Sequence, residues 1–224
     1  MRYEKGHGAG TSARIVDSAS ARIRERGIES IKVAGLMKSA GLTHGGFYLH
    51  FKSRRDLIER AFARAMDGSV QQWRKAADRS NPGERLLSIV DYYLTDRHRD
   101  DIANGCALPS LGAEVTRAGV GIKRAFSNGL REMIDVLSED VNGPSKREAI
   151  AIVSEIVGAL LLARAVDQPE FSSEIMSVAR EYVMGNEAQV LGTTKAPRKV
   201  SARTKRPGAV KRPFAADRRY RLRS

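Results

Sequence analysis

The sequence predicts an all-α fold, and three observations carry that prediction. Apolar residues recur at i, i+3, i+4 spacing in every long segment, the pattern of helices that bury one face. No stretch alternates apolar and polar residues as a half-buried strand would. Short breaks such as Asn81-Pro82-Gly83 and Asn142-Gly143-Pro144 separate the periodic segments. At 224 residues the chain has room for a small N-terminal domain and a larger helical one. The expected divisions are 11–66, 67–191 and a basic tail at 192–224.

Taken in order, Thr11 or Ser12 is expected to cap a first helix that runs to about Arg26, with Ile15, Ala19 and Ile23 on its buried face. Met1 to Gly10, with three glycines, is expected to be mobile. Gly27 closes the first helix, and Ile28 and Ile31 bridge to the next. Val33, Leu36, Met37 and Ala40 repeat at helical spacing, and Gly41 stops them. Thr43 is placed to cap a further helix, continuous from His44 to about His50, with Phe47 and Phe51 facing inward. Two short helices joined by such a turn form a helix-turn-helix, whose second helix enters the DNA major groove. Lys32, which opens the first of the two, offers no side chain suited to capping.

Ser53 with Asp56 begins a long helix carrying Leu57, Ile58, Ala61, Phe62, Ala65, Met66, Val70 and Trp73, a stripe weakened only by Gly68. Further helices are expected at about 84–97, from Pro109 to about Arg117, and at about 121–140. Ser145 and Glu148 cap a helix at about 146–166 that is apolar nearly all round, and so must be buried on more than one side. A last helix is expected at about 169–190, with Ile175, Met176, Val178, Ala179, Tyr182 and Val183.

The net charge of +13 is segregated. Residues 1–66 hold 13 Lys/Arg against 6 Asp/Glu, residues 67–194 hold 14 against 19, and residues 195–224 hold 12 against 1. A basic N-terminal head on an acidic body points to a nucleic-acid partner at that end. The tail has too few large apolar residues to fold by itself and is suited to non-specific phosphate contact.

Thr43, Tyr48, His50, Lys52 and Arg54 carry hydroxyl, imidazole or cationic groups suited to phosphates. His44, Gly45, Gly46 and Phe47 are expected at the groove-facing end, with Phe47 readable as core or as a thymine-methyl contact. No catalytic constellation and no zinc-ligand spacing appears, so neither an enzyme, a cofactor nor a metal is expected. No run of 18 apolar residues is present and the N-terminus lacks an apolar signal core, so a cytoplasmic protein without a membrane partner is expected. The single cysteine, Cys106, has no partner for an internal disulfide. It precedes a predicted helix start, where the dipole lowers a thiol pKa, with Arg97 and Arg99 near in sequence; a small buried apolar role is the alternative.

Gly41-Leu42-Thr43, Phe47-Tyr48, His50-Phe51-Lys52-Ser53 and Leu57, with Ile15, Ala19, Ile23 and Gly27 upstream, resemble the DNA-binding domain of the tetracycline-repressor (TetR) family over about residues 11–65. Lys32 and Arg54-Arg55-Asp56 depart from that pattern while keeping positive charge. The resemblance implies a homodimer paired through the helices at 146–190, a double-stranded DNA operator, and an unknown small-molecule effector held among the body helices. Candidates for the effector site are Trp73, Tyr92, Tyr93, Phe126 and Met133, each of which also reads as plain core. Gly105-Cys106 with Leu111 and Glu114 is similar to a TetR-type subgroup in which the cysteine senses electrophiles or oxidants. The resemblance thus implies a repressor; a sequence-independent basic DNA-binding protein is the alternative.

Overall fold

A computed structural model describes residues 5–192, apart from 82, 141 and 142. Among the described residues every regular element is helical. The ten α-helices are α1 (Lys5–Arg26), α2 (Val33–Ser39), α3 (Phe47–His50), α4 (Arg54–Ala77), α5 (Arg85–Tyr93), α6 (Asp96–Asp100), α7 (Ala107–Val115), α8 (Val120–Ser138), α9 (Lys146–Ala165) and α10 (Pro169–Gly192). Short 3-10 turns occupy Ile28–Ser30 and His44–Gly46. The basic tail proposed for 192–224 lies outside the described residues beyond Gly192.

Helix α1 starts at Lys5, so Thr11 and Ser12 sit inside it rather than capping it. Capping preferences amount to about 1 kcal/mol, too little to stop a helix that continues through both residues. Thr11 Oγ1 instead accepts a bond from Arg14 at 3.5 Å. Ile15, Ala19 and Ile23 are fully buried, as their spacing predicts. Gly27 ends the helix with φ 78°, a left-handed conformation that favours glycine, while its N–H bonds the Ile23 carbonyl at 2.8 Å. Gly41 repeats the device after α2 with φ 71°.

Helix α4 is the axis of the molecule. Ser53 accepts the Asp56 N–H at 3.1 Å, and the Asp56 carboxylate takes the Lys52 N–H at 3.0 Å, so the predicted cap forms. Its buried face, from Leu57 through Trp73 to Ala77, packs on α1 at the head and on α5, α7 and α8 in the body. The expected division at 66/67 therefore falls within one unbroken helix. Helix α8 runs alongside α4 closely enough that a Cβ on Gly129 would meet the Met66 side chain at 2.5 Å.

The helix expected at 84–97 is broken. Leu94 and Thr95 leave helical geometry, and Thr95 Oγ1 caps α6 by accepting the His98 N–H at 3.2 Å. The break is compensated locally, because the His98 ring folds back and Nδ1 bonds the Tyr93 carbonyl at 2.8 Å. The cap of α9 forms in full: Ser145 Oγ accepts Glu148 N–H at 3.3 Å and Glu148 accepts Ser145 N–H at 2.8 Å. Helix α9 buries Ala149, Val153, Ile156, Leu160 and Ala163 within the chain. Ile152 and Val157 are half-buried against that core, and Ile150, Leu161 and Leu162 remain exposed, as do Phe171, Val178 and Tyr182 of α10.

Candidate functional site

The head is built so that α3 is held from beneath and open above. Thr43 Oγ1 accepts the Gly46 N–H at 3.3 Å and so caps this segment as expected, but residues 44–46 form a 3-10 turn, and α-helical geometry begins only at Phe47. Two consecutive glycines disfavour the α-helix at that point. Gly45 has no atom within 4 Å of a notional Cβ, so a surface can approach its backbone closely. The side chain of His44 lies outside the described residues.

Of the two readings of Phe47, core and groove contact, its position is that of core. It is 1% exposed and stacks in the core with Phe51, ring centroids 5.3 Å apart. A ring so enclosed is unavailable to a thymine methyl. The residue that does project is Leu49, 86% exposed, beside Tyr48 at 68%. Sequence reasoning missed Leu49, because a four-residue helix is too short for periodicity to assign an apolar residue to solvent. The available signal was its place between Tyr48 and His50, with Phe47 and Phe51 already taking the inward positions.

Lys32 and Lys52 are exposed on the same head, and His50 is half-buried. Lys32 makes no side-chain cap bond to α2. Arg54, expected at phosphates, is half-exposed and bound along the head: Nε donates to the Ile31 carbonyl at 2.8 Å and Nη2 pairs with the exposed Glu29 at 3.0 Å. Arg54 thus fastens the turn before α2 to the start of α4.

In the body, four of the six effector or sensor candidates converge. Trp73 and Tyr93 meet edge to face at 5.5 Å. Tyr92 and Tyr93 both contact the His98 ring, at 5.4 Å and 4.6 Å. Cys106 closes the group, since its backbone N–H donates to His98 Nε2 at 2.9 Å. With Nε2 accepting, Nδ1 carries the proton donated to Tyr93, and the imidazole is neutral. Burial lowers the His98 pKa to about 4 and raises that of Tyr92 to about 12. The Trp73 Nε1 and the Tyr93 hydroxyl are buried without an oxygen or nitrogen partner. Met133 is buried and Phe126 half-buried on α8, outside this ring cluster.

Of the two readings of Cys106, its surroundings fit the small buried residue better than the thiol acidified by its helix. It is the N-cap of α7 and Sγ accepts the Leu108 N–H at 3.5 Å, as the sequence placement implies. Yet Cys106 is 3% exposed, and burial pushes its pKa up, outweighing the donors of Tyr93, Leu108 and Ser69 and the charge of Arg164. Arg97 and Arg99 are not the cations that act on it. Arg99 is spent on Asp96 and Asp100, whereas Arg164 of α9 binds the carbonyls of His98 (2.6 Å) and Arg99 (3.0 Å) and the Ser110 hydroxyl (3.1 Å).

The segment bearing Cys106 is also tied to the head. Arg24 of α1 donates to the Ala103 carbonyl at 2.7 Å, and Glu114 of α7 accepts the Ile28 N–H at 2.9 Å. Gly27 leaves room for that carboxylate, since a Cβ there would lie 2.7 Å from Glu114 Oε1. Among the described residues no group of His, Cys, Asp and Glu could hold a metal ion, and no helix is long and apolar enough to cross a membrane.

A capped turn, a short exposed helix and a long helix beneath it define a helix-turn-helix DNA-binding domain set on an α-helical body. Residues 15–61 match the family model for bacterial regulatory proteins of the tetR family. Curated relatives include the HTH-type transcriptional repressor NemR of Escherichia coli K12, 23% identical over 135 residues, covering 58% of this chain and 67% of that protein. The uncharacterized HTH-type transcriptional regulator YfiR of Bacillus subtilis is 25% identical over 99 residues, covering 44% of this chain and 48% of its own. The chain thus spans about half the length of the first curated relatives it matches. In three dimensions it is similar to the reduced form of E. coli NemR, with TM-score 0.68 and 20% identity over 79% of this chain and 96% of that one. A TetR regulator from Chloroflexus aurantiacus gives TM-score 0.67 and 18% identity over 80% and 96%. At these identities the structural likeness establishes the fold.

Proposed function

We propose that the chain is a transcriptional repressor that binds a palindromic DNA operator as a homodimer and lets go when the body is altered by a small effector or by modification of Cys106. The observation that carries this reading is α3: its cap and its two phenylalanines fix it to the head, while Leu49 is 86% exposed beside the exposed Tyr48. Base edges are read by Leu49 and the backbone at Gly45 and Gly46, together with His44. Phosphates are met by Thr43, Tyr48, His50, Lys52 and Lys32. The name of the NemR relative, a repressor, agrees with this direction of control.

Release would start around Trp73, Tyr92, Tyr93 and Cys106, with Phe126 and Met133 of α8 as outlying candidates. Trp73 lies on the same helix, α4, that carries α3 at its other end, so a shift there re-aims the head. The Glu114–Ile28 and Arg24–Ala103 bonds give a second mechanical link from the Cys106 segment to α1.

The test is selection of DNA from a random pool by the purified full chain, followed by footprinting. One palindrome protected is the expected result; uniform protection that collapses with salt would establish the sequence-independent alternative. For release, operator affinity is measured with and without an oxidant in wild type and Cys106→Ser. A response that persists undiminished in Cys106→Ser refutes the thiol route.

A further inference from the structure

A cleft of about 250 Å³ opens at the seam between α1, α4 and the loop at 104–105, separate from the ring cluster around Trp73. Its polar lining is unbalanced in charge. Arg24 and Arg64 contribute two guanidinium groups and Asp17 one carboxylate. Arg64 Nε is paired with Asp17 at 2.6 Å. Arg24 is half-buried and has no carboxylate partner among the described residues; it bonds only the Ala103 carbonyl through Nε and the Ser20 hydroxyl through Nη1, at 3.2 Å. Its Nη2 and both Nη atoms of Arg64 have no bond among the described residues. Burial makes the Arg24 cation less favourable than in water, and the like charge of Arg64 adds to this, while the Asp101 and Asp17 carboxylates offset it only in part.

The cleft also accounts for Gly68. Glycine is the poorest helix former after proline, yet Gly68 stands in the middle of the 24-residue helix α4. Its φ is not positive and nothing lies within 4 Å of a Cβ built on it, so neither backbone geometry nor close packing calls for glycine there. What Gly68 does is line the cleft, where any larger side chain would occupy the open volume.

We propose that this cleft is a binding site for a small oxyanion, a carboxylate or phosphate, held between Arg24 of α1 and Arg64 of α4. The anion accepts from Arg24 Nη2 and from the Nη atoms of Arg64 and so bridges the two helices, beside the Asp17 carboxylate that already takes Arg64 Nε. This goes beyond the proposed repressor reading and does not depend on it, since the site is defined without reference to DNA.

The experiment is thermal unfolding of the full chain in inorganic phosphate, in malonate, and in chloride at matched ionic strength. At concentrations well above Kd, at least one oxyanion should raise Tm by roughly 2–4 °C over chloride. Gly68→Leu fills the cleft without touching its charge, and Arg64→Gln removes charge while keeping the shape. Each should abolish the shift, and each is read separately, so a poorly folding variant leaves the other decisive. Which anion acts tells carboxylate from phosphate. No shift with either anion in wild type overturns the proposal. So does an undiminished shift in the variants, which would place the anions on the basic tail or another exposed surface.

Discussion

At Leu49 and Phe47 two apolar residues of one short helix have opposite tasks. Leu49, 86% exposed, contributes little to folding, so Leu49→Ala should leave stability within about 0.5 kcal/mol of wild type. If it covers a thymine methyl, the same change should weaken operator binding about 5- to 10-fold, which is the loss of roughly 1 kcal/mol of apolar contact. Urea unfolding and a binding titration on one preparation check both halves. Phe47→Ala, by contrast, empties a fully buried site and should cost about 3–5 kcal/mol. His98 yields a pH dependence. Its pKa falls from 6.5 to about 4 in the folded chain because burial disfavours the cation. The unfolded chain therefore binds the extra proton first, so this contribution to stability is complete above pH 6.5. It is lost progressively as the pH drops from 6.5 towards 4. Urea midpoints measured at pH 7.5 and 5 should separate in wild type and draw together in His98→Gln; equal separation in both would refute the assignment.

Among the helices, what was legible from sequence was whatever a local rule decides. Ser53 with Asp56 and Ser145 with Glu148 announce α4 and α9, and both caps form with the expected partners. The buried stripe of α4 was readable because 24 residues give periodicity room to show. Three features were not legible. The α5–α6 break depends on the His98 ring reaching back five residues to the Tyr93 carbonyl, a side-chain bond that apolar periodicity does not register. The other two have non-local causes. The bonds that hold Arg54 go to Ile31 and Glu29, more than twenty residues away. The raised pKa of Cys106 follows from burial by α4, α5 and α9, which no neighbour in sequence reveals. The strut from α7 to the head is likewise non-local, and it can be tested by itself. Glu114→Ala leaves the Ile28 N–H without its acceptor and should destabilise the chain by about 1–2 kcal/mol. If the strut carries the signal, operator binding in this variant should also respond less to Cys106 modification; a full response would confine release to α4.

Across the whole molecule the question is what covers the outward side of α9 and α10. Helix α9 is apolar nearly all round, yet within one chain only one of its faces is buried. Leu162, Phe171 and Val178 line a shallow groove of about 390 Å³ between the two helices, with Tyr182 exposed one turn beyond Val178. A second copy related by a twofold axis would set the same two helices against this face and close a four-helix bundle. Two heads on one palindrome then bind far more tightly than one, because the second engages at high local concentration. Val178→Asp with Tyr182→Asp places charge on the exposed face while leaving the buried face of α10, Met176, Ala179 and Val183, intact. The doubly substituted chain should keep its helical content and thermal transition. It should sediment as a monomer where wild type sediments as a dimer. Its affinity for a full palindrome should fall about 100-fold, to that of a half-site. A dimer mass that survives both substitutions would show that the chain pairs through another surface, and the spacing of the two recognition helices would then have to be set from there.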